Sequence, residues 1–189
     1  MRVSERNSEY GGCSHDQRVF FEAVSWNGYE TLLDLRGERP VPRLVYLEGT
    51  LELMSPSVHH EKIAKMLARL IEAYADERDL PLNGFKSWTV RREESRRGAE
   101  PDECYTLGAD KMVPDLAIEV VWTSGGLDKL EVYRELGVGE LWFWQDDEIS
   151  VYVLRGDCYQ QVERSELLPE LDLAALTSFI DPDNQTQAV

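Results

Sequence analysis

The run "DLAIEVVW" (residues 115–122) constrains the fold more than any other stretch, because after Asp115 it is apolar on both faces except at Glu119. Side chains alternate along a strand, so a strand apolar on both sides sits inside a sheet that is covered above and below. An ionised carboxylate in that position is costly unless it is paired or bound to a metal. Asp115 shares the face of Glu119 but lies about 13 Å away at about 3.3 Å per residue. That separation is too large for one ion, and Asp115 reads as a strand-start residue at the sheet edge. Glu119 therefore needs a partner from elsewhere in the chain.

The rest of the chain supplies the cover. "QRVFF" reads as a strand, Ser25 caps a short helix through "WNGYETLLDL", and "RLVYL" and "TLELMS" form a hairpin about Glu48-Gly49. Ser57 caps a long helix to about Asp79, with Ile63, Met66, Leu67, Leu70, Ile71 and Tyr74 on one stripe. "GFKSWTVRR", "EPDECYTL" and "DLAIEVVW" follow as three strands. "LDKLEVYREL" is then a helix ending at Gly137, "GELWFWQ" a strand, and "DEISVYVLRGDCYQQVE" a hairpin turning at Arg155-Gly156-Asp157. "LDLAALTSFI" closes the chain as a short helix. The order from the long helix is α-β-β-β-α-β, an α/β fold with a mixed sheet, preceded by a strand-helix-hairpin arm. One domain over 18–181 is expected, with a flexible terminus at 1–17 and a tail at 182–189.

Composition narrows the function classes. Cys13, Cys104 and Cys158 lack Cys-x-x-Cys spacing, and His59 and His60 are adjacent rather than one helical turn apart, so neither a structural zinc site nor an HExxH site is indicated. Isolated cysteines suit a reducing compartment, and cytoplasm is the expectation. No apolar run reaches the roughly 20 residues that span a bilayer. The net charge of −16 opposes a general affinity for nucleic acid. Arg91, Arg92, Arg96 and Arg97 in "VRREESRRG" are either a solvated hairpin tip or a local phosphate-contacting patch.

Asp102 in "AEPDECY" lies on the strand before Glu119. Antiparallel pairing of the two would bring their carboxylates within about 5 Å, where a divalent cation relieves the repulsion. An oxygen-only ligand set favours Mg²⁺ or Mn²⁺ over zinc. The bland alternative is a buried acid held by backbone donors, or a salt bridge to Arg91 or Lys129.

Pro101-Asp102 followed by Glu119 resembles the PD-(D/E)XK signature of restriction-endonuclease-like nucleases. "GTLELMSPSVHHEKI", "AEPDECY" and "PDLAIEVVWTSGGLDKLEVYRELGVGELWFW" together resemble a large bacterial group of uncharacterised proteins in that superfamily, over nearly all of 18–181. The resemblance implies an αβββαβ core and metal-dependent phosphodiester hydrolysis in nucleic acid, with DNA the first expectation and a homodimer able to cut two strands. It implies Asp102, Glu119 and the backbone carbonyl of Val120 as Mg²⁺ or Mn²⁺ ligands. The superfamily's usual lysine position is Val121 here, and the group resembled takes its lysine from the following helix, which makes Lys129 the candidate. Otherwise Lys129 is a solvent-facing helix residue. The resemblance also places His60 at the site, as a base or phosphate contact, against a plain role at the helix start. Glu52 is the choice for a further acidic ligand, against a solvent-facing strand residue. Trp122, Trp142 and Trp144 read as core or interface. A catalytically idle module of the same fold and a hydrolase of small phosphoesters are the rival readings.

Overall fold

The apolar run around Glu119 becomes the middle of a sheet. A computed structural model describes residues 15–86, 88–108, 111–121 and 125–186. In chain order the first elements are β1 (Gln17–Phe21), α1 (Trp26–Arg36), β2 (Arg43–Leu47), β3 (Thr50–Ser55), α2 (Val58–Glu77) and β4 (Leu82–Phe85). Then come β5 (Val90–Arg92), β6 (Arg97–Ala99), β7 (Glu103–Leu107), β8 (Leu116–Val120) and α3 (Lys129–Leu136). The chain finishes with β9 (Glu140–Gln145), β10 (Glu148–Arg155), β11 (Cys158–Val162) and α4 (Leu173–Ser178).

Two sheets form. The larger runs β11-β10-β9-β8-β7-β4 and the smaller β1-β3-β2-β6-β5. β8 and β9 pair in parallel, with α3 as their crossover, whereas β4, β7 and β8 pair antiparallel. The path α2-β4-β7-β8-α3-β9 is the expected αβββαβ core. One expectation changes: "GFKSWTVRR" is two strands in different sheets, since β4 pairs with β7 while β5 pairs with β6. Phe85 and Trp88 pack ring against ring at the break, tilted by 58° with 4.9 Å between ring centres.

Alternation along β8 divides the core. Leu116, Ile118 and Val120 face α2 and α4, packing with Ile63, Leu67 and Trp142. Ala117 faces the other way, towards Val132, Tyr133 and Leu136 of α3 and Val45 of the small sheet. Glu119 therefore opens into the seam between the two sheets. The small sheet's other face carries Leu44, Tyr46 and Leu51 against Tyr29 and Leu33 of α1. Register then sets Arg43 and Val45 of β2 beside Met54 and Glu52 of β3, with Arg18 of β1 across from Met54. Arg18, Arg43 and Glu52 thus share the face of Val45, which looks into the seam.

Local chemistry sets the ends of these elements. The Ser57 side chain accepts the His60 amide at 3.2 Å and starts α2. Asp128 accepts the Glu131 amide at 3.1 Å to start α3, and Gly137 ends it at φ 81°. The Glu48-Gly49 turn has φ of 48° and 107°, the primed hairpin turn that suits a two-residue loop. The described residues nearest each end are held against the domain. Asp16 is buried and β1 begins at Gln17, while the early residues 1–14 lie outside the described residues. At the other end Asp183 pairs with Lys62 at 2.8 Å and the Gln185 carbonyl accepts from Arg69 at 2.8 Å, so this segment rests on α2. Among the described residues no helix is long and apolar enough to cross a membrane.

Gly98 of β6 marks a tight contact in this core. A Cβ there would run into the Tyr29 hydroxyl and lie 2.7 Å from Cζ, and the Tyr29 ring is fully buried and stacked on Tyr46. Gly98→Ala is predicted to lower stability by about 1–3 kcal/mol through overpacking, read as a lower urea midpoint with unchanged slope. An unchanged midpoint would show that the Tyr29 ring moves freely.

Candidate active site

Glu119 has no exposed surface, and its partners come from one helix. Tyr133 donates its hydroxyl to Oε1 at 2.6 Å, and the Lys129 ammonium donates to Oε2. Lys129 and Tyr133 stand one helical turn apart, so a single face of α3 serves both oxygens. Burial, with the Glu119 charge beside it, holds the Tyr133 hydroxyl well above its usual range, so the phenol stays a donor. Cys104, opposite Ala117 on β7, is pushed up to about 12 by burial and then by Glu103 and Glu119. A thiol held neutral is a packing group rather than a nucleophile.

Asp102 enters from the neighbouring strand. Glu103 pairs with Ile118, and continuing that register by one residue sets Asp102 opposite Glu119. Its Oδ2 accepts the Val120 amide at 2.7 Å. Its Oδ1 meets the Arg43 guanidinium and lies 2.9 Å from Nε2 of His60. His60, buried in the first turn of α2, places Nδ1 3.1 Å from Asp16, which also accepts the Ser57 amide at 2.8 Å. Burial opposes ionisation of Asp16, but the bonds from His60 and the Ser57 amide outweigh it and hold the carboxyl at about 2.

Glu52 is as buried as the two central acids, yet its oxygens are engaged differently. Oε1 lies 2.9 Å from Arg18 Nε, and Oε2 accepts the Leu127 amide at 2.8 Å. These contacts tie Glu52 to β1 and to the loop ahead of α3. The arginines of the run each have a partner within the chain. Arg91 faces Glu30, Arg92 donates to the Glu135 carbonyl, Arg96 to Tyr46, and the buried Arg97 to Glu48 and Glu131. Trp142 and Trp144 are core, as is most of "LWFW". Trp122, Thr123 and Ser124 lie outside the described residues.

Two cavities reach this seam. One of about 330 Å³ abuts Asp102 and is edged by Arg36, Arg43, Glu61, Lys86 and Glu100. Another, of about 260 Å³, lies at the end of β8 beside Arg18, Val120, Gly126, Lys129 and Gln145. Among the described residues no three His, Cys, Asp or Glu side chains converge on one point. Mg²⁺ needs only one or two carboxylates, since water and phosphate oxygens complete its shell. The donor chemistry of Asp102 and Glu119 suits such an ion. Arg43 and Lys129 already balance their charges, so ion binding competes with these two pairs.

Sequence reasoning missed three members of this cluster. Tyr133 was legible in principle, being four residues after Lys129. Arg43 opens an apolar strand and Asp16 lies in a segment with no periodic pattern, and neither carries a local signal.

The αβββαβ topology, with acids at adjacent strand positions and a lysine from the crossover helix, defines a restriction-endonuclease-like domain. The Uma2 family model, described as "Putative restriction endonuclease", matches residues 26–182. The chain belongs to that family. A crystal structure described as a putative nuclease belonging to DUF820, from Anabaena variabilis ATCC 29413, superposes with a TM-score of 0.54. The two are 17% identical, with 72% of this chain and 92% of that one covered, and at that identity the likeness concerns the fold. No curated protein matches the chain.

Because the folded carboxyl of Asp16 titrates below its usual 3.8, its contribution is present above about pH 4 and lost as pH falls through about 2. Asp16→Asn is predicted to cost roughly 2 kcal/mol at neutral pH, with the difference from wild type closing between about pH 4 and pH 2. Urea titrations across that range measure it, and a gap constant with pH would contradict an ionised Asp16 carboxylate.

Proposed function

We propose that the chain is a metal-dependent nuclease that hydrolyses phosphodiester bonds in nucleic acid, with DNA the expected substrate. The observation that carries this reading is the placement of Lys129. With Val121 at the superfamily's usual lysine position, an amine still meets the buried Glu119, and it comes from α3. Family membership and the neighbour's fold support the same class.

In this reading Asp102, Glu119 and the backbone carbonyl of Val120 hold Mg²⁺ or Mn²⁺. When bound, the ion supplies a Lewis acid that acidifies a water and stabilises charge on the phosphate. The residues of the chain do the rest. Lys129 orients the attacking water or opposes developing negative charge, and Tyr133 fixes the other oxygen of Glu119. His60, held by Asp16 on one side, orients the carboxylate of Asp102 on the other. The overall charge of −16 disfavours nucleic acid at long range. The cations at the seam, Arg43, Lys86 and Lys129, give it a local foothold that weakens with salt. Pairing of two copies to cut both strands, and action in the cytoplasm, belong to the same reading.

One observation favours the rival of an idle nuclease fold: Arg43 and Lys129 already neutralise both acids. Cleavage assays on DNA and RNA with Mg²⁺ or Mn²⁺ separate the two, with a generic small phosphodiester alongside to detect the third reading. Asp102→Asn and Lys129→Ala are each predicted to lower metal-dependent cleavage at least about 100-fold while far-ultraviolet dichroism stays native. Cleavage at the wild-type rate in either variant would remove that residue from the mechanism.

A further inference from the structure

The family match begins at residue 26, yet two of the charged side chains that hold the seam together come before it. β1 and the residue ahead of it supply Arg18 and Asp16, and both reach inward. We propose that this N-terminal arm positions the site: Arg18 sets the loop that carries Lys129, acting through Glu52, while Asp16 sets His60. The inference rests on the nuclease reading for its catalytic meaning, and on geometry for its existence.

The chain of contacts is continuous. The Arg18 guanidinium lies 2.9 Å from Glu52 by Nε and 3.8 Å from Asp16 by Nη2. Glu52, 1% exposed, passes the restraint to the Leu127 amide at 2.8 Å. Leu127 directly precedes Asp128, the N-cap of α3, and Lys129 is the first residue of that helix. A Cβ on Gly126 would sit 3.2 Å from the Glu52 carboxylate, so the loop lies flat against it. A displacement of Leu127 therefore moves the start of α3, and the Lys129 amine with it. Small misplacements of this kind cost rate far more than binding. Burial explains why Arg18 matters: without its cation, Glu52 would keep an uncompensated charge away from water, and the loop would lose its anchor. Glu52 and Arg18 are thus positioning residues, and the role proposed for Glu52 differs from that of a metal ligand.

The test uses the full chain and two readouts. Hydrogen exchange is followed at the Leu127 amide and, as a core reference, at the Ile118 amide. In Arg18→Ala the Leu127 amide is expected to exchange at least about tenfold faster relative to Ile118, and Arg18→Lys is expected to recover part of that protection. Where Arg18→Ala fails to fold, Glu52→Gln, which keeps size and shape, carries the same expectation. Cleavage kinetics of the same variants should show kcat down about tenfold with KM within about twofold, again partly restored by lysine. Exchange at Leu127 that changes only in step with Ile118 overturns the arm, whatever the cleavage assay gives. If the wild-type protein cuts no nucleic acid while Leu127 loses protection selectively, the arm stands and the nuclease reading fails.

Discussion

Glu119 is a carboxylate in the centre of a covered sheet, and the rest of the seam is arranged around the cost of having it there. Strand alternation turns it away from the α2 side and towards α3, where Lys129 and Tyr133 meet its two oxygens. Removing a charge from water is repaid only by good geometry and complete hydrogen bonding, and here both oxygens have donors. An apolar residue in place of Glu119 would need neither donor.

The same logic extends outward in shells. Asp102 is held by the Val120 amide, His60 and Arg43; His60 is held by Asp16; Glu52 is held by Arg18 and the Leu127 amide. Buried acids alternate with buried donors, so an overall acidic protein presents a locally balanced seam. A balanced seam is also the condition under which a hard divalent ion must compete for its ligands. Arg43 and Lys129 oppose ion loading, yet they are the cations that could meet phosphate once an ion has taken their place.

The large sheet was legible because its signals are local and strong. A run apolar on both faces around Glu119, a long amphipathic stripe with a serine cap, and a hairpin turn each point to one structure. The pairing of Asp102 with Glu119 followed from register, since strands joined by one loop pair antiparallel. The resemblance, more than spacing, singled out Lys129. What stayed hidden depends on tertiary contact. Nothing in "SHDQRVFF" says that Asp16 and Arg18 turn inward, because β1 is mostly exposed, and neither the half-buried Arg18 nor the buried Asp16 just ahead of it follows an apolar pattern. The split of "GFKSWTVRR" between two sheets was hidden for a related reason, as a short strand does not encode which partner it will pair with. Glu52 was expected at the site and is beside it, but its role follows from Arg18 and Leu127, which are distant in sequence.

The most direct test of the central claim is a calorimetric titration of Mn²⁺ into the wild-type protein and into Asp102→Ala. The account predicts saturable binding to the wild type that disappears in the variant, because the ion and Asp102 share one site. An absence of binding to the wild type, or equal binding to both proteins, would contradict it.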